Sequence, residues 1–375
     1  MSVQHRSWAE ISLAQIASNY EAIRRVVGPD VQIAPVVKAD AYRHGAVQVS
    51  RVLEREGVRW LSVANVEEGI TLREAGIGTR ILVLAGFFPQ DRKDLAEFHL
   101  TPVLHSVEEV RDWNSFARQR EQPLRYHLKI DTGMGRLGTR AGPGELIATI
   151  QENGWARLEG LMTHLASPAD YESPQTGDQL GAFGSVRSEL RTAGIEPLYV
   201  HASSTAPIVY GNEAAWGNMV RPGLSIYGYL PGAKGDAPER VLEVRPALSW
   251  KASILQVKDV PEGALIGYNG SFRAERPLRI AVIAAGYADG VPHQLSNRGH
   301  VVAGGKLARM VGAVSMDLTT IDISACPELA PGDSVMLIGS EGVVKIDADD
   351  VARIAGTISY SVLCGIHARV RRVYV

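Results

Sequence analysis

The stretch Ile33-Ala34-Pro35-Val36-Val37-Lys38-Ala39-Asp40-Ala41-Tyr42 contains a short apolar run that ends at a lysine. Such a run is typical of a buried strand, and Lys38 stands at its carboxyl end. We expect burial at the mouth of the strand to desolvate the Lys38 ammonium group and to lower its pKa. A neutral lysine amine reacts with carbonyl groups. The alternative interpretation is a lysine whose stem lies on the strand and whose charged head reaches solvent.

This apolar run is the first of eight strands predicted in the N-terminal part of the chain. They are predicted to start near Val31, Trp60, Arg80, Leu100, Arg125, Leu158, Pro197 and Met219. Helical patterns lie between them, at residues 47–55, 66–75, 107–118, 144–151 and 179–193. Strands that alternate with helices indicate a parallel sheet. Eight units in about 230 residues favour a closed (β/α)8 TIM barrel, with a doubly wound open sheet as the competing architecture.

The pattern changes after about Asp236. Strand-like runs cover residues 242–260, 278–285, 311–323, 334–338 and 368–375, and one helical pattern covers residues 348–355. Short runs separated by Gly, Pro and Asp predict a mostly-β domain. We therefore expect a barrel over residues 1–235 and a β-rich domain over residues 236–375, with a linker at residues 231–238. Residues 1–13 are strand-like in part and are expected to pack with either domain.

The composition is that of an ordinary globular protein. The 375 residues are 45% hydrophobic and 21% charged, and the formal net charge is −2. A near-neutral charge gives no electrostatic reason to expect nucleic acid or an acidic membrane as a partner, and no apolar run is long enough for a membrane span. Cys326 and Cys364 match no metal-ligand spacing. We expect no metal site and two reduced thiols in a cytoplasmic protein.

Polar residues recur where the predicted strands end. They are Lys38 after the first strand, Lys129 and Asp131 after the fifth, His164 after the sixth, His201 and Ser203–Thr205 after the seventh, and Arg221 with Gly223 at the eighth. Catalytic residues of a (β/α)8 barrel cluster at this end, and the last two loops often bind phosphate. The hydroxyls of Ser203–Thr205 and the backbone access that Gly223 allows fit an anion site. A plain helix N-cap is the alternative explanation of the hydroxyls.

The segment Gly133-Met134-Gly135-Arg136-Leu137-Gly138 has the glycine spacing of a dinucleotide-binding turn. That turn opens a helix and lies at the start of a mononucleotide-binding half. Here residues 139–144, TRAGPG, would break a helix, and four βα units come first. We interpret the glycines as shaping a loop that presents Arg136.

Several motifs together resemble those of the alanine racemase family, pyridoxal-phosphate enzymes built from a barrel and a β domain. The resemblance covers essentially the whole chain. It rests on VVKADAYRHG at residues 36–45, LKIDTGMGRLG at 128–138, RPGLSIYG at 221–228, IGYN at 266–269, GYADG at 286–290 and VSMD at 314–317. The chain departs from residues common in the family at Asp40, Arg43, Thr205, His293 and Ser315.

The resemblance implies roles for the residues of the site. Lys38 would hold pyridoxal 5'-phosphate covalently and act as one acid/base, and Tyr268 would act as the other on the opposite face of the substrate. Tyr268 would reach the site of the partner subunit, so that a homodimer shares its active sites. Arg221 would face the pyridine nitrogen of the cofactor, oriented by His164. His293 stands where an arginine that tunes the tyrosine is common, which leaves the tuning of Tyr268 open.

The resemblance also implies how the cofactor and the substrate are held. The residues expected at the cofactor phosphate are Tyr42, Ser204, Thr205, Gly223, Leu224 and Tyr360. Arg136 would contact the phenolic oxygen of the cofactor and help to bind the substrate carboxylate. The backbone N–H of Met316, from the second chain, would meet the same carboxylate. Lys129 is expected to be carbamylated, which converts it into an anion that pairs with Arg136.

The function implied is racemisation of L- and D-alanine by two bases, in the synthesis of cell-wall peptidoglycan. A racemase that acts on serine or lysine is an alternative. A barrel decarboxylase or a non-catalytic protein that binds pyridoxal phosphate is another. Such decarboxylases generally place a glutamate at the pyridine nitrogen, and the non-catalytic class lacks the β domain, so Arg221 and residues 236–375 disfavour both.

Overall fold

The computed structural model describes residues 5–152 and 154–375, which divide into two compact units. The barrel unit comprises Gln15–Ala41 and Ala46–Arg245. The β unit comprises Pro246–Val375, strand β1 (Ser7–Ile11) and the segment Tyr42–Gly45. The change of unit at residue 245 comes later than the boundary expected at residue 235. The expected linker stays with the barrel unit because the Tyr171 N–H donates to the Lys234 carbonyl at 3.0 Å.

In the described part of the barrel unit, eight parallel strands form the centre. They are β2 (Gln32–Ile33), β3 (Trp60–Val63), β4 (Arg80–Val83), β5 (Leu100–Leu104), β6 (Leu124–Lys129), β7 (Ala156–Met162), β8 (Tyr199–His201) and β9 (Met219–Val220). Strands β3 to β8 pair in sequence order, and β2 pairs with β9. A bridge between Val36 and Ser62 links β2 to β3, and the Arg221 N–H donates to the Ser203 carbonyl at 3.0 Å beside β8. The predicted (β/α)8 TIM barrel is confirmed.

The helical segments of this part of the chain alternate with the strands. They are α1 (Leu13–Val27), α2 (Lys38–Tyr42), α3 (Ala46–Arg55), α4 (Val66–Glu74), α5 (Arg92–Glu97), α6 (Val107–Gln119), α7 (Pro143–Glu152), α8 (Gln175–Thr192) and α9 (Thr205–Val209). The side chains of Asn65 and Ser106 accept backbone N–H groups at the starts of α4 and α6, as N-cap residues do. The sequence patterns predicted these two helices within one residue at each end, but they did not predict α1 or α5.

Apolar side chains from several strands meet inside the barrel. The buried cluster consists of Ala34, Trp60, Leu82, Val103, Met162 and Met219. Full burial of a large apolar side chain stabilises a fold by about 1.5–3 kcal/mol. This core holds the strands in place, and their carboxyl ends therefore carry side chains on a rigid support.

The β unit contains the other described strands, β1 and those that follow residue 246. In chain order its elements are β10 (Leu248–Val260), β11 (Leu265–Ile266), β12 (Phe272–Arg273), β13 (Leu278–Ile283), β14 (His300–Ala303), β15 (Lys306–Arg309), β16 (Thr319–Asp322), β17 (Ser334–Glu341), β18 (Val344–Ile346), α10 (Ala348–Ala355), α11 (Ser359–Cys364) and β19 (Arg371–Tyr374). The long strand β10 pairs with β1, β13 and β17. The mostly-β prediction is confirmed, although α11 was not predicted.

Strand β1 belongs to the β unit. Ala9 lies opposite Trp250 of β10 in an antiparallel pair and opposite Arg372 of β19 in a parallel pair. Strand β10 begins at Leu248 rather than at Leu242, and Pro246, which has no backbone N–H to donate, stands just before it. None of the described helices is long and apolar enough to cross a membrane.

Candidate active site

Lys38 follows the first barrel strand as predicted, but its side chain is exposed. The Val37 N–H donates to the Ser62 carbonyl at 2.8 Å, so the backbone is held by the barrel up to the residue before the lysine. The chain then turns, and the side chain leaves the apolar interior. The expectation that the strand mouth buries Lys38 is therefore wrong.

The turn that carries Lys38, α2, has a reversed hand. Five consecutive residues in and just after this turn have φ between 51° and 66°: Ala39, Asp40, Ala41, Tyr42 and Arg43. Each L-residue in a left-handed helix costs about 1–2 kcal/mol. Two carboxylates hold the turn: Glu68 Oε1 accepts the Ala39 N–H at 2.7 Å, and Asp40 Oδ1 accepts the Ala46 N–H at 2.8 Å. Strain of this kind concentrates at functional sites.

Lys129, at the end of β6, is the buried lysine of this region. Burial lowers its pKa to about 8, together with the positive charges of Arg136, Arg221 and Lys38 and against the opposing charge of Asp131. Burial is the largest cause, and the three cations add to the shift because they act on the Lys129 ammonium group through space. The barrel unit thus brings four of the predicted basic side chains together.

Arg136 lies exposed in the loop between β6 and α7. The Asp131 Oδ1 atom accepts three backbone N–H groups of residues 133–135 at 3.0–3.2 Å, and its Oδ2 atom accepts from Arg140 at 2.8 Å. The Thr139 N–H returns to the Lys129 carbonyl at 2.9 Å and closes the loop. Residues 132–142 contain no helix, so this segment does not open a helix as a dinucleotide-binding turn would.

Arg221 is the most deeply buried cation of the site. Its Nη1 group donates to His201 Nδ1 at 2.5 Å, and its Nη2 group donates to the carbonyls of Thr163 at 2.9 Å and Ala202 at 3.3 Å. His164 Nδ1 lies 3.4 Å from Nη2. Burial lowers the pKa of Arg221 to about 9, so the guanidinium keeps its charge at neutral pH. All four acceptors are formally neutral groups.

Two imidazoles lie beside Arg221, whereas the sequence predicted only one. His164 lies beside Arg221 as predicted, but the closer ring is that of His201, which the sequence placed at a strand end without a role. Burial and the charges of Arg221 and Lys129 lower the pKa of His164 to about 3, and burial places the pKa of His201 well below its usual value. Neutral rings can accept hydrogen bonds from Arg221.

The loops after β8 and β9 meet at the side chain of Thr205. Ser204 is the N-cap residue of α9, and Gly223 is the N-cap residue of a short 3-10 helix over Leu224–Tyr227. Thr205 Oγ1 accepts the Gly223 N–H at 3.2 Å. These four predicted phosphate residues, Ser204, Thr205, Gly223 and Leu224, therefore lie together. Backbone N–H groups at helix starts favour an anion.

The other two residues predicted to bind phosphate, Tyr42 and Tyr360, lie in the β unit. Their ring centroids are 6.0 Å apart. Burial raises the pKa of Tyr42, with a further contribution from Tyr360, and burial also raises the pKa of Tyr360. Both phenols keep their protons and can donate hydrogen bonds.

Tyr268 and Met316 lie on exposed segments of the β unit. Their exposed fractions are 71% and 53%. Gly267, just before the tyrosine, has φ +79°, and a Cβ there would lie 2.7 Å from a backbone nitrogen. A Cβ on Gly286 would lie 2.4 Å from the Met316 carbonyl oxygen. Positions 267 and 286 therefore require glycine, because a side chain at either would clash with the neighbouring backbone.

His293, which stands where the family commonly has an arginine, begins a 3-10 helix over His293–Leu295. Its ring contacts that of Tyr287 edge-on, with a centroid distance of 6.4 Å.

The residues present fit pyridoxal phosphate, an anionic aldehyde. Lys38, Lys129, Arg136 and Arg221 gather in the barrel unit, and the one carboxylate among them, Asp131, is occupied by its own loop and Arg140. Such a donor set suits a phosphate and a phenolate, with Lys38 Nζ available for the carbonyl carbon. Within residues 5–152 and 154–375, no three His, Cys, Asp or Glu side chains gather as a metal site.

Two family models match nearly the whole chain. Residues 11–231 match the N-terminal domain of alanine racemase, and residues 247–374 match its C-terminal domain. The chain is 38% identical to the alanine racemase of Halothermothrix orenii over 371 residues, which covers 98% of this chain and 96% of that protein.

Solved structures agree over the full length. The alanine racemase of Bacillus anthracis with bound L-Ala-P superposes with a TM-score of 0.90 at 32% identity, covering 100% of this chain and 96% of that one. The alanine racemase of Bartonella henselae with covalently bound pyridoxal phosphate superposes with a TM-score of 0.87 at 28% identity, covering 99% of this chain and 100% of that one. The chain belongs to the alanine racemase family.

Proposed function

We propose that this protein is a pyridoxal-phosphate-dependent isomerase that interconverts L-alanine and D-alanine. The observation that carries the proposal is the buried Arg221 beside Lys38 and Lys129 at the carboxyl ends of the barrel strands. Arginine stays protonated at neutral pH, so it donates hydrogen bonds at this position and does not accept them. This places a donor where the decarboxylase alternative needs a carboxylate.

The candidate cofactor residues divide the binding of pyridoxal phosphate among them. Lys38 holds the cofactor through Nζ, and Arg221 donates to the pyridine nitrogen. The phosphate is held by Tyr42, Ser204, Thr205, Gly223, Leu224 and Tyr360. The bound cofactor withdraws electrons from the substrate and acidifies its Cα–H bond. Arg221 leaves the pyridine nitrogen without a proton, which limits this withdrawal and disfavours side reactions.

Two groups of the chain move the proton of the substrate. Racemisation requires that a proton leave one face of Cα and that another arrive on the opposite face. Lys38 Nζ serves one face and Tyr268 Oη serves the other. Each group takes a proton in one direction of the reaction and gives one in the other direction.

We place the tyrosine in the second chain of a homodimer, so that each active site draws on both chains. The exposure of Tyr268 and Met316 on the β unit supports this arrangement, because both are accessible to another chain. Arg136 and the partner subunit's Met316 backbone N–H hold the substrate carboxylate. His164 orients Arg221 from the side, at 3.4 Å.

The reaction supplies D-alanine for peptidoglycan, and we assign the enzyme to the cytoplasm. The buried free thiol of Cys326 is consistent with a reducing compartment. Racemisation of serine or lysine in place of alanine is not supported by the family comparison. Neither a decarboxylase nor a non-catalytic binding protein is supported, since the chain carries Arg221 and the matching C-terminal domain.

The test is direct. Purified protein with pyridoxal phosphate is incubated separately with L-alanine, L-serine and L-lysine, and the loss of optical rotation is followed. We expect rotation to fall to zero fastest with L-alanine, and the Lys38→Ala variant to leave it unchanged. Constant rotation with all three amino acids would overturn the proposed function.

A further inference from the structure

A series of polar side chains crosses the interior of the barrel unit, from Arg221 toward the amino ends of the strands. His201 Nε2 lies 2.8 Å from His127 Nδ1, and His127 Nε2 lies 3.8 Å from Glu159 Oε2. The exposed fractions of the three residues are 0%, 0% and 7%. We refer to His201, His127 and Glu159 as the relay. The proposed function gives none of them a role.

The contact with Arg221 reveals where the protons of the relay lie. A guanidinium only donates hydrogen bonds, so His201 Nδ1 must be unprotonated to accept from Nη1 at 2.5 Å. The proton of a neutral His201 ring is then on Nε2, and it is donated to His127 Nδ1. The proton of His127 is therefore also on Nε2, on the side that faces Glu159.

Both rings are held neutral. Burial lowers the pKa of His127 against the opposing influence of Glu159, and it lowers the pKa of His201 together with the charge of Arg221. With one proton on each ring, every donor in the relay points away from Arg221 and toward the glutamate.

The far end of the relay is a fixed negative charge. Arg80 donates through both Nη atoms to the two oxygens of Glu159, at 3.0 and 2.6 Å, and Arg125 lies 3.6 Å away. Burial acts to raise the pKa of Glu159, but the interactions with His127 and Arg80 outweigh it and hold the pKa at about 2. The carboxylate is ionised throughout the neutral range.

The surroundings of His127 are shaped to this ring. A Cβ on Gly160 would lie 2.3 Å from His127 Nδ1, so only glycine lets the ring approach His201. The rings of Trp60 and Tyr199 pack on His127 with centroid distances of 5.4 and 5.8 Å. Packing on two sides fixes the plane of the imidazole.

At its near end, Arg221 is a buried cation whose hydrogen-bond acceptors are all neutral, and no carboxylate forms an ion pair with it in the part of the chain that the structure describes. We propose that Glu159 is a positioning residue of the active site, whose charge fixes the tautomers of His127 and His201 so that a lone pair faces Arg221 and holds its guanidinium in one orientation. The effect on catalysis rests on the proposed function, whereas the tautomers do not.

The Glu159→Gln substitution is expected to reverse the tautomers of His127 and His201. A glutamine keeps the shape of the side chain but can turn its NH2 group toward His127 Nε2. His127 would then carry its proton on Nδ1, and His201 would carry its proton on Nδ1, where it opposes the N–H of Arg221. The variant therefore allows both rings to carry their protons on Nδ1. Arg221 then loses the hydrogen bond to His201 that holds its guanidinium in place.

The first measurement is the protonation of each imidazole nitrogen by 15N NMR of histidine-labelled protein, with and without pyridoxal phosphate. We expect His127 and His201 to be protonated on Nε2 alone, and E159Q to show Nδ1 protonation in both. A wild-type His201 protonated on Nδ1 would overturn the proposal. This readout does not depend on racemisation, so a failure of the proposed function leaves it intact.

The second measurement compares E159Q with E54Q. Glu54 is a partly buried carboxylate of the same unit that accepts from Gly78 and Thr79 and makes no contact with the relay. Outer partners of functional groups commonly change rates by 10–100-fold, and we expect kcat to fall about tenfold in E159Q, with KM within a factor of about two. The visible absorption of the bound cofactor should shift in E159Q and not in E54Q. Equal spectra and rates in E159Q and wild type would overturn the proposal. If E159Q does not fold, the 15N NMR measurement of the wild-type tautomers provides the test.

Discussion

Glu68 Oε1 accepts a hydrogen bond from the backbone N–H of Ala39 at 2.7 Å, one residue beyond Lys38. Its other oxygen, Oε2, accepts the N–H of Ala64 at 2.7 Å, just after strand β3. One carboxylate thus ties the left-handed turn to the neighbouring barrel strand. Charge-assisted hydrogen bonds of this kind are roughly twice as strong as neutral ones, and they help to offset the strain of the turn.

The Glu68→Gln substitution is expected to weaken both the fold and the cofactor site. A glutamine can accept only one of the two N–H groups and turns an NH2 group toward the other. We expect the free energy of unfolding to fall by about 1.5–3 kcal/mol, and the dissociation constant of pyridoxal phosphate to rise. Urea unfolding and absorbance titration measure the two effects. Glu67→Gln removes a charge from the same helix turn and serves as the control; equal effects of the two variants would contradict the account.

The stability of the protein should depend on acid through Glu159. Its pKa of about 2 lies below the value of 4.5 for an unperturbed glutamate. A carboxyl group whose pKa is lower in the folded state than in the unfolded state stabilises the fold at pH values above its unfolded pKa. This stabilisation is lost as the pH falls toward the folded pKa. The difference between the two pKa values of Glu159 corresponds to about 3 kcal/mol in the free energy of unfolding at neutral pH.

We therefore expect E159Q to unfold at a lower urea concentration than wild type at pH 7. The difference between their urea midpoints should narrow between pH 4.5 and the acid limit of the assay. Glu196→Gln, at an exposed position in the same unit, controls for the loss of one charge. A gap that stays constant from pH 7 to pH 3 would show that Glu159 does not carry this pH dependence.

The barrel strands were predictable from sequence because each is a short apolar run bounded by polar residues. The predicted starts at Trp60, Arg80, Leu100 and Met219 are the starts that the structure has. Helix α5 was not predicted because its six residues, RKDLAE, are too few to reveal a helical period. The reversed hand of α2 was not predicted because its residues are compatible with an ordinary helix, and its direction depends on Glu68, which lies far away in sequence.

The site was predictable where a residue ends a strand, as with Lys129, His164 and Arg221. Its internal contacts were not. Whether Lys38 or Lys129 is buried depends on how the chain turns after each strand, which no local pattern encodes. His201 was visible as a strand-end residue, but its bond to Arg221 depends on pairing between segments twenty positions apart.

Lys129 should carry a carbamate. Its pKa of about 8 leaves a large fraction of the amine neutral at mildly alkaline pH, and a neutral amine adds CO2 to form an N-carboxylate with release of one proton. The product would be an anion beside Arg136. Native mass spectrometry in bicarbonate should show one added CO2 per chain, lost on acidification, and Lys129→Arg should show none. A bare amine at Lys129 in bicarbonate would contradict the prediction.

Tyr268→Phe should slow racemisation strongly in both directions, because the phenol is the group that handles the proton on one face. The side chain is 71% exposed, so removal of its hydroxyl leaves the fold intact. Loss of general acid–base catalysis lowers rates by about 10²–10⁴-fold. Rates measured from L-alanine and from D-alanine should fall together, while the absorbance of the bound cofactor persists. Full activity in either direction would remove Tyr268 from the mechanism.

The most direct test of the two-base site shared between chains is to mix inactive subunits. Lys38→Ala and Tyr268→Phe proteins are dissociated, combined in equal amounts and reassociated. If each site uses Lys38 of one chain and the partner subunit's Tyr268, half of the dimers are mixed and one of their two sites is intact. The account predicts recovery of about a quarter of wild-type activity. No recovery above the two separate variants, with mixed dimers shown to be present, would contradict it.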